Sequence, residues 1–401
     1  MQRRQQSERP AGDRIIRVLV LLDKLWRPGG AERTAMAVAT HLPRDRFDVV
    51  VATTRPSGGP FLASVTAQGI PHLALDRRRR LDAAAFARFV RFLRDQEVDV
   101  LHAHLFGSNL WGSVFGRLAG VPVVIAHEHT WSYEGQPLRR FLDGQVIARL
   151  ADVFVAVSER DRERMIELEG VPAEKIVLLP NPYVPRPPGE PVDVRQELGI
   201  APGTPVITTV AVLRAQKALE VLLTAFARLS ASLPDARLVI AGDGPCRQSL
   251  EALARELGVA ARVHFLGYRD DVGALLEAAD VAALSSDYEG WPLFAMECMA
   301  HRTPLVSTDV GNVGALLGAG EGVLIVPRRD PAALEAGLEA LLTDPARRQA
   351  QAEAAARRLT RYDVENVARE FADLYETLVA RSRRTRENGR RDGAARPGRD
   401  L

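Results

Sequence analysis

Two carboxylates in an apolar stretch are the residues of this sequence with the most evident chemical potential. Glu289 and Glu297 lie in "EGWPLFAMECMA", where nearly every neighbour is apolar. If residues 292 to 301 form a helix that is buried, an ionised Glu297 is costly unless a partner binds it. The vicinal hydroxyls of a ribose or a hexose could donate to such a carboxylate. An ion pair with an arginine or with His301 would satisfy it equally well.

Two cations, Arg214 and Lys217, occur in "VLRAQKALEVLL", between a predicted strand and a predicted helix. Lysine is scarce in this chain and otherwise occurs only at Lys24 and Lys175. An arginine can bind a diphosphate with two parallel hydrogen bonds, and a lysine adds a compact charge. The pair is therefore a candidate diphosphate clamp, and the alternative is ordinary solvated surface.

Glycine-rich turns recur where predicted strands pass into predicted helices: "PGGAER", "GDGPC", "EGWP" and "VGNVG". Each would present backbone N–H groups at a helix start, an arrangement that suits phosphate. No turn has the G-x-G-x-x-G or Walker pattern, which argues against nicotinamide-dinucleotide and P-loop chemistry. Together the four turns favour a phosphorylated ligand, although each alone could be a simple tight turn.

Four histidines form two His-x-His pairs at the ends of successive predicted strands: His102, His104, His127 and His129. Because side chains alternate along a strand, each pair shares one face, and a four-histidine metal site is geometrically conceivable. No cysteine or further carboxylate occurs at a ligand spacing, and Glu128 faces the other way. The favoured interpretation is that one or two line a ligand cleft as hydrogen-bond donors, so we predict no metal.

Short apolar runs that alternate with helical patterns must position these groups. Such alternation predicts parallel sheets covered on both faces, hence an α/β fold with two Rossmann-like domains in tandem. The predicted strands lie within residues 14–22, 47–53, 98–104, 121–129, 153–158, 175–181, 206–212, 236–244, 261–267, 280–286, 303–309 and 322–327. Parallel sheets bind ligands beyond the carboxyl ends of their strands, so the two sheets are expected to face an interdomain cleft.

Domain boundaries follow from composition. "NPYVPRPPGEPV" is too rich in proline for a helix interior or a central strand and predicts a linker. The last segment is arginine-rich and almost without apolar residues. The predicted segments are a disordered N-terminus (1–13), a first domain (14–182), a linker (183–204), a second domain (205–362), a helix that returns to the first domain (363–380) and a disordered basic tail (381–401).

Composition restricts the cellular context. A chain of 401 residues with 46% hydrophobic content can form two cores. No apolar run is long enough for a membrane span, no secretory signal is evident, and the two cysteines suggest no disulfide framework, so we expect a cytoplasmic protein. Arginines 77 to 80 precede an amphipathic helix that either contacts an anionic membrane or packs on the sheet with its arginines exposed. No nucleic-acid motif accompanies them.

The motifs in their order resemble glycosyltransferase family 4, whose members are retaining enzymes of GT-B architecture. The likeness extends from about residue 14 to 379. It is carried by Glu289 and Glu297 in their common segment, by the Arg-x-x-Lys of 214–217, and by "GGAER", "VAVSE", "LPN", "AGDGP", "VHFLG" and "STDVG". The first domain would then bind the acceptor, and the second would bind a nucleoside-diphosphate sugar.

This resemblance implies a role for each matching residue. Arg214 and Lys217 would bind the donor diphosphate, and the turn at Gly29 and Gly30 would approach it. His129 would line the reaction centre. The remaining donor-binding positions would be Gly242, Gly244, Phe265 near the nucleobase, Glu289 with Gly290, Trp291, Pro292, Leu293 and Phe294 on the sugar, and Glu297 on the ribose. No cofactor and no metal would be needed for catalysis.

Three departures from the family pattern concern the donor site. Ala218 stands where glycine usually follows the lysine, "NPY" replaces "NGV" after "LP", and Ala315 replaces a glutamate. The predicted function is transfer of a sugar to a glycan or lipid-linked acceptor, in cell-envelope or exopolysaccharide biosynthesis, at the cytosolic membrane face. The alternatives are a nucleotide-sugar epimerase or phosphorylase of the same architecture, and a non-catalytic partner subunit that binds nucleotide or lipid.

Overall fold

The computed structural model describes residues 14–26, 29–79, 81–129, 136–185 and 192–394, and within the last range the side chains up to residue 388. The predicted disordered N-terminus (1–13) lies outside the described residues, as does the end of the chain after Ala394. The chain divides into two compact units, residues 1–182 with 364–401 and residues 183–363. Each unit has its own parallel sheet.

A seven-stranded parallel sheet forms the first unit, in the order β3-β2-β1-β4-β5-β6-β7. The strands are β1 (Ile16–Leu22), β2 (Phe47–Thr53), β3 (His72–Ala74), β4 (Val100–His104), β5 (Val123–His127), β6 (Val153–Ala156) and β7 (Ile176–Leu178). The helices are α1 (Gly30–His41), α2 (Pro60–Ala67), α3 (Ala83–Asp95), α4 (Leu105–Ala119), α5 (Pro137–Leu142), α6 (Ala148–Leu150) and α7 (Glu159–Arg164). Strand β3 was not predicted, because three half-exposed residues carry no apolar run.

The second unit has a six-stranded parallel sheet in the order β10-β9-β8-β11-β12-β13. Its strands are β8 (Val206–Val210), β9 (Arg237–Ala241), β10 (Val263–Gly267), β11 (Val281–Leu284), β12 (Leu305–Thr308) and β13 (Leu324–Val326). Its helices are α8 (Val194–Glu197), α9 (Leu219–Leu229), α10 (Arg247–Glu256), α11 (Val272–Ala278), α12 (Leu293–Ala300), α13 (Val313–Leu317), α14 (Pro331–Leu342) and α15 (Pro345–Arg357). The prediction of an α/β fold with two parallel sheets is confirmed.

Part of the predicted linker is ordered in the second unit. Val194 and Ile200 are buried in a cluster with Val206 and Val239, so α8 is part of that core. Arg195 secures it by donating to the carbonyls of Ala278 (2.9 Å) and Thr204 (2.8 Å). The proline-rich residues 186–191 lie outside the described residues.

Helix α16 (Val364–Ala394) packs on the first unit and completes one face of its core. Its apolar side chains Val367, Phe371, Tyr375 and Val379 are buried against the strands and α1. The helix is longer than the predicted 363–380, and the segment up to Ala394 that was predicted to be disordered is helical. Arginine favours helix, and Arg386 donates to the Gly120 carbonyl (3.1 Å).

Among the described residues, no helix has the combination of length and apolar character that crossing a bilayer requires. Both cysteines are free thiols, Cys246 partly exposed and Cys298 buried.

Candidate active site

Lys217 and Glu289 lie in separate sequence motifs and meet at the carboxyl-terminal edge of the second unit's sheet. Lys217 ends a short 3₁₀ turn, Ala215–Lys217, that follows β8, and Glu289 follows β11. The Nζ of Lys217 donates to Oε1 of Glu289 at 2.6 Å, and the two side chains are 21% and 8% exposed. Since β8 and β11 are neighbours in the sheet, their carboxyl ends bring these two groups together.

A set of hydrogen bonds fixes the Lys217 turn against the loop that carries Glu289. The Oγ of Ser285 donates to the Lys217 carbonyl (2.9 Å), and the backbone N–H of Asp287 donates to the Gln216 carbonyl (2.9 Å). The side chain of Gln216 donates in return to the Tyr288 carbonyl (3.1 Å). The two loops are therefore one structural element, and the position of the ammonium group depends on both.

Ser286 is a site residue that sequence analysis missed. Its Oγ donates to Oε1 of Glu289 at 2.6 Å, and both side chains are buried. The serine thus satisfies a carboxylate that would otherwise be costly to bury. The sequence signal that could have identified Ser286 is its hydroxyl, three residues before a glutamate expected to be buried.

Ala218 keeps the backbone geometry that glycine would favour at this position. Its φ of 44° and ψ of 42° are left-handed, and it serves as the N-cap of α9. Alanine is uncommon in this conformation but tolerates it better than a bulky or β-branched residue would. The departure from the family pattern therefore leaves the helix start after Lys217 intact. Arg214, just before the turn, is exposed.

Gly242 and Gly244 allow two backbone loops to pack closely. A Cβ on Gly242 would lie 1.8 Å from the Ala211 carbonyl oxygen, and one on Gly244 would lie 2.5 Å from that of Leu213. The N–H of Cys246 also donates to the Leu213 carbonyl (2.9 Å). In this structure the glycines of "GDGP" hold the loop that precedes Arg214, and any contact with donor remains a prediction.

The segment from Gly290 to Phe294 is largely buried, and α12 begins at Leu293 with Pro292 as its N-cap. Trp291 donates through Nε1 to the sulfur of Met296 (2.9 Å). Glu297 is partly exposed on α12 rather than fully buried as the sequence suggested. Nδ1 of His301, which the sequence suggested as a partner of Glu297, lies 3.5 Å from Oε1 of Glu277.

The aromatic residue that the family resemblance places near a nucleobase is partly buried on β10. Phe265 is within β10, paired in register with Ile240, and packs against the hydrophobic core of the second unit. Tyr268, just after the carboxyl end of β10, is 61% exposed, and its hydroxyl donates to Asp270 (2.7 Å). Tyr268 is therefore a second aromatic side chain at the carboxyl end of β10.

Ala315 is exposed on α13, and its carbonyl accepts a hydrogen bond from Arg358 (3.0 Å). Gly311, in the turn before it, packs against the loop of Glu289. A Cβ there would lie 2.8 Å from the carbonyl oxygens of both Glu289 and Gly290. In "NPY", the N–H of Tyr183 donates to the Tyr362 carbonyl (2.7 Å) where the second unit begins.

In the first unit, Gly29 and Gly30 stand at the start of α1. The backbone N–H of Gly29 donates to Oε2 of Glu32 (3.0 Å), so this glutamate of "GGAER" caps the helix. Residues 27 and 28 lie outside the described residues.

The four histidines form one buried cluster. The rings of His127 and His129 stack at 3.9 Å, and Nδ1 of His104 lies 2.9 Å from Nε2 of His129. Burial lowers the pKa of His102 and of His129 to about 3 and holds the pKa of the other two well below the ordinary value. All four are therefore neutral at pH 7. Glu128 faces away, 3.7 Å from Arg139, as predicted.

Comparison with known proteins agrees with this architecture. The model of glycosyltransferase family 4 matches residues 28–185, and that of the glycosyl transferases group 1 matches residues 193–358. The chain is 30% identical over 311 residues to a D-inositol 3-phosphate glycosyltransferase of Thermobispora bispora, covering 72% of each protein. It is 28% identical over 303 residues to the alpha-D-kanosaminyltransferase of Streptomyces kanamyceticus, covering 69% of this chain and 77% of that protein.

Among solved structures, Anabaena HepE in complex with UDP and glucose superposes with a TM-score of 0.79. It is 23% identical, and the match covers 90% of this chain and all of that one. The two parallel sheets are thus of the GT-B glycosyltransferase type. The chain belongs to glycosyltransferase family 4 and is a nucleotide-sugar-dependent glycosyltransferase.

Proposed function

We propose that the protein transfers a sugar, with retention of configuration, from a nucleoside-diphosphate sugar bound by the second unit to a hydroxyl of a glycan or lipid-linked acceptor. The observation that carries this proposal is the contact of Lys217 with Glu289, supported by Ser286, beside the exposed Arg214. An ammonium group has three N–H bonds, so Lys217 can donate to Glu289 and to a phosphate oxygen together.

Charge stabilisation at the leaving group is the central step of this mechanism. When the bond from the sugar to the diphosphate breaks, negative charge grows on the departing phosphate oxygen. Arg214 and Lys217, on the same loop after β8, would offset that charge, and preorganised cations are effective because they need not reorient. Glu289 would hold the sugar hydroxyls, and Glu297 would hold those of the ribose. Added Mg²⁺ or Mn²⁺ is therefore expected to leave turnover unchanged.

The relatives inform the choice of donor and acceptor. HepE was solved with UDP and glucose, which makes UDP-hexose the first donor to test. One relative is named for D-inositol 3-phosphate and another for the kanosaminyl group, so a polar polyol is the first class of acceptor to test. A glycan of the cell envelope or an exopolysaccharide, assembled at the cytosolic membrane face, fits that chemistry.

A thermal-shift panel tests the donor site. The protein is melted with UDP, GDP, ADP and TDP and with their common sugar conjugates. A nucleotide at a hundred times its Kd stabilises the protein by about 2.7 kcal/mol. One base is expected to give this shift, and Lys217→Ala and Glu297→Ala are expected to lose it. The control Arg255→Ala, on an exposed position of α10, should retain it.

Three results would contradict the proposal. No shift with any nucleotide would favour a non-catalytic role, and consumption of the donor without an added acceptor would favour the epimerase. If Lys217→Ala melts like the wild type and still shifts fully, the diphosphate is bound elsewhere.

Membrane association is a second, separable part of the proposal, and it needs a different set of arginines from the predicted one. Arg77 is only 8% exposed; its guanidinium lies 3.5 Å from Asp23 and over the ring of Trp111. It is thus a structural residue. Arg80 lies outside the described residues, whereas Arg78 and Arg79 are exposed.

An apolar groove next to these arginines favours lipid. It has a volume of about 840 Å³, lies between α3 and α4, and is lined by Leu81, Phe115 and Leu118 with Arg91 and Arg94. Leu81 and Leu118 are 76% and 60% exposed. Arginines attract anionic headgroups while leucines insert among acyl chains.

Flotation with anionic and neutral vesicles tests this part. Wild type should float with phosphatidylglycerol vesicles and not with phosphatidylcholine vesicles, and the double variant Arg78→Ser with Arg79→Ser should float several-fold less. Arg255→Ser removes an exposed charge elsewhere and is the control. Equal flotation of the double variant and the control would reject the membrane contact.

A further inference from the structure

Three buried histidines converge at the carboxyl ends of β4 and β5. His104 and His127 are register partners on these strands, and His102 lies two residues earlier on the same face of β4. One ring nitrogen from each lies within 4.8 Å of the other two. The three residues are at most 2% exposed. The cluster therefore has the composition of a metal site and is shielded from bulk water.

Several ring nitrogens of the cluster lack protein partners. Nε2 of His102, Nε2 of His104 and both nitrogens of His127 have no hydrogen-bond partner among the described residues. A buried polar atom without a partner costs about 1–3 kcal/mol. Four such atoms in one cluster indicate that something other than protein satisfies them.

The opposite nitrogen is held in place on His102 and on His104, and the backbone is held in place at His127. Nδ1 of His102 lies 2.6 Å from the hydroxyl of Tyr375, and Nδ1 of His104 lies 2.9 Å from Nε2 of His129. Asn109 fixes the backbone at His127 by one hydrogen bond to its carbonyl and one from its N–H, each 3.2 Å. Metal-binding histidines are usually oriented in this way by an outer partner on the nitrogen that does not bind the ion.

We infer that His102, His104 and His127 bind one divalent cation of the zinc class. Imidazole nitrogens suit zinc, copper, nickel and cobalt, and three of them with a fourth position for water form a common tetrahedral site. Bond lengths of about 2.0–2.1 Å require the rings to move slightly toward each other.

The role of this ion is structural. It joins the ends of β4 and β5, and through Tyr375 it involves α16 of the same unit. It also holds His104, which contacts His129. The residues proposed to bind the donor diphosphate belong to the second unit. Metal binding by the histidines and donor binding can therefore be measured separately.

Metal analysis of an untagged protein tests the inference. Because the site is buried, it should load as the chain folds, so the protein is produced or refolded with Zn²⁺ or Co²⁺ and then dialysed against a weak chelator. Wild type should retain about one metal ion per chain, and the Co²⁺ form should show the visible absorption of tetrahedral nitrogen coordination. His127→Gln should lose both signals. His264→Gln, a partly exposed histidine on β10, should retain them.

The inference would be overturned if the wild type folds without stoichiometric metal and its cobalt spectrum is that of the free hexa-aquo ion. Buried water would then satisfy the ring nitrogens. Equal metal content in His127→Gln and wild type would also overturn it. If His127→Gln does not fold, His104→Gln replaces it, and the cobalt spectrum of the wild type still decides. The thermal shift with nucleotide is independent of all these results.

Discussion

At the scale of single residues, the hydroxyl of Ser286 has the most direct effect on the proposed donor site. It donates to the same carboxylate oxygen of Glu289 that accepts from Lys217, in a buried environment. Ser286→Ala removes one of two donors to a buried charge, which typically costs about 1.5–3 kcal/mol. We expect a lower melting temperature and at least a several-fold rise in KM for the donor.

Ser286→Thr should restore most of that loss, since it retains the hydroxyl. Ser249→Ala is the matched control, because its hydroxyl bonds only a helix carbonyl on an exposed surface. Donor titrations of the four proteins make the measurement. Unchanged KM in Ser286→Ala would mean that Lys217 alone positions Glu289.

Gly311 supports the same loop through its backbone. Its φ is +53°, and an added Cβ would lie 2.8 Å from the carbonyl oxygens of Glu289 and Gly290. Gly320 also has a positive φ, +82°, but has nothing within 4 Å of such a Cβ. Alanine at either position incurs the same left-handed strain of about 1–2 kcal/mol, and only Gly311→Ala adds a clash.

We therefore expect Gly311→Ala to be destabilised beyond Gly320→Ala by about 1–3 kcal/mol, the usual cost of overpacking. Only the first should weaken nucleotide-sugar binding, because the clash displaces the backbone of Glu289. Denaturant unfolding and donor titration of the pair make the comparison. Equal effects at both sites would show that the loop adjusts without moving the carboxylate.

The sequence predicted these residues unequally, and the reason is physical. Lys217 and Glu289 were found because charge is rare in apolar segments, and parallel strands bring their carboxyl ends together. Ser286 and the role of Gly311 depend on which backbone atoms approach across the sheet, and local spacing contains no such information. The place of Phe265 near a nucleobase came from the motif alone. The structure shows it partly buried on β10 against the core, and a contact with a nucleobase stays a prediction.

At the scale of elements, Arg269 joins α8 to the rest of the second unit. It donates to both carboxylate oxygens of Glu197 (2.6 and 3.0 Å) and to both of Asp271 (2.7 and 2.6 Å). These hydrogen bonds hold the pKa of Glu197 and the pKa of Asp271 below their ordinary values. A carboxyl with a depressed folded pKa contributes stability above its unfolded pKa and loses it as the pH falls through the folded value.

Arg269→Met is therefore expected to lower the melting temperature at pH 7 by about 1–4 °C, a small shift because the group is partly screened by solvent. The difference from wild type should shrink below about pH 4, where the unfolded carboxyls are protonated. Arg255→Met is the control. A deficit that persists unchanged at acid pH would indicate lost packing of the arginine stem instead of lost ion pairs.

Element boundaries were less predictable than element types. Every strand except β3 was anticipated, because near-continuous apolar runs identify buried parallel strands. The linker was drawn too long, since α8 joins the core through only Val194 and a few neighbours after a proline-rich stretch. The last helix was predicted too short, because an arginine-rich composition suggests disorder. The sequence does not reveal the distant carbonyls that accept hydrogen bonds from Arg386 and Ser382.

At the scale of the whole molecule, the first unit is built from two separate parts of the chain, residues 1–182 and 364–401, and the second is continuous. The returning helix α16 supplies Val367, Phe371, Tyr375 and Val379 to the core of the first unit, each at most 2% exposed. Burying a large apolar side chain contributes about 1.5–3 kcal/mol. Four of them approach the whole stability of a typical domain, about 5–15 kcal/mol.

A chain that ends at Asp363 should therefore lose the fold of its first unit, while the second unit, with its own core, stays folded. Limited proteolysis should degrade residues 14–182 and leave a resistant fragment near 183–363, and the near-UV signal of the first unit's aromatic residues should fall. A chain that ends at Asn388 keeps every described side-chain contact of α16. Its free energy of unfolding should lie within about 0.5 kcal/mol of that of the full chain, as is usual for surface changes. If the chain that ends at Asp363 resists protease as well as the one that ends at Asn388, the first 182 residues fold without α16. The stabilisation expected from burying the apolar side chains of α16 would then be absent.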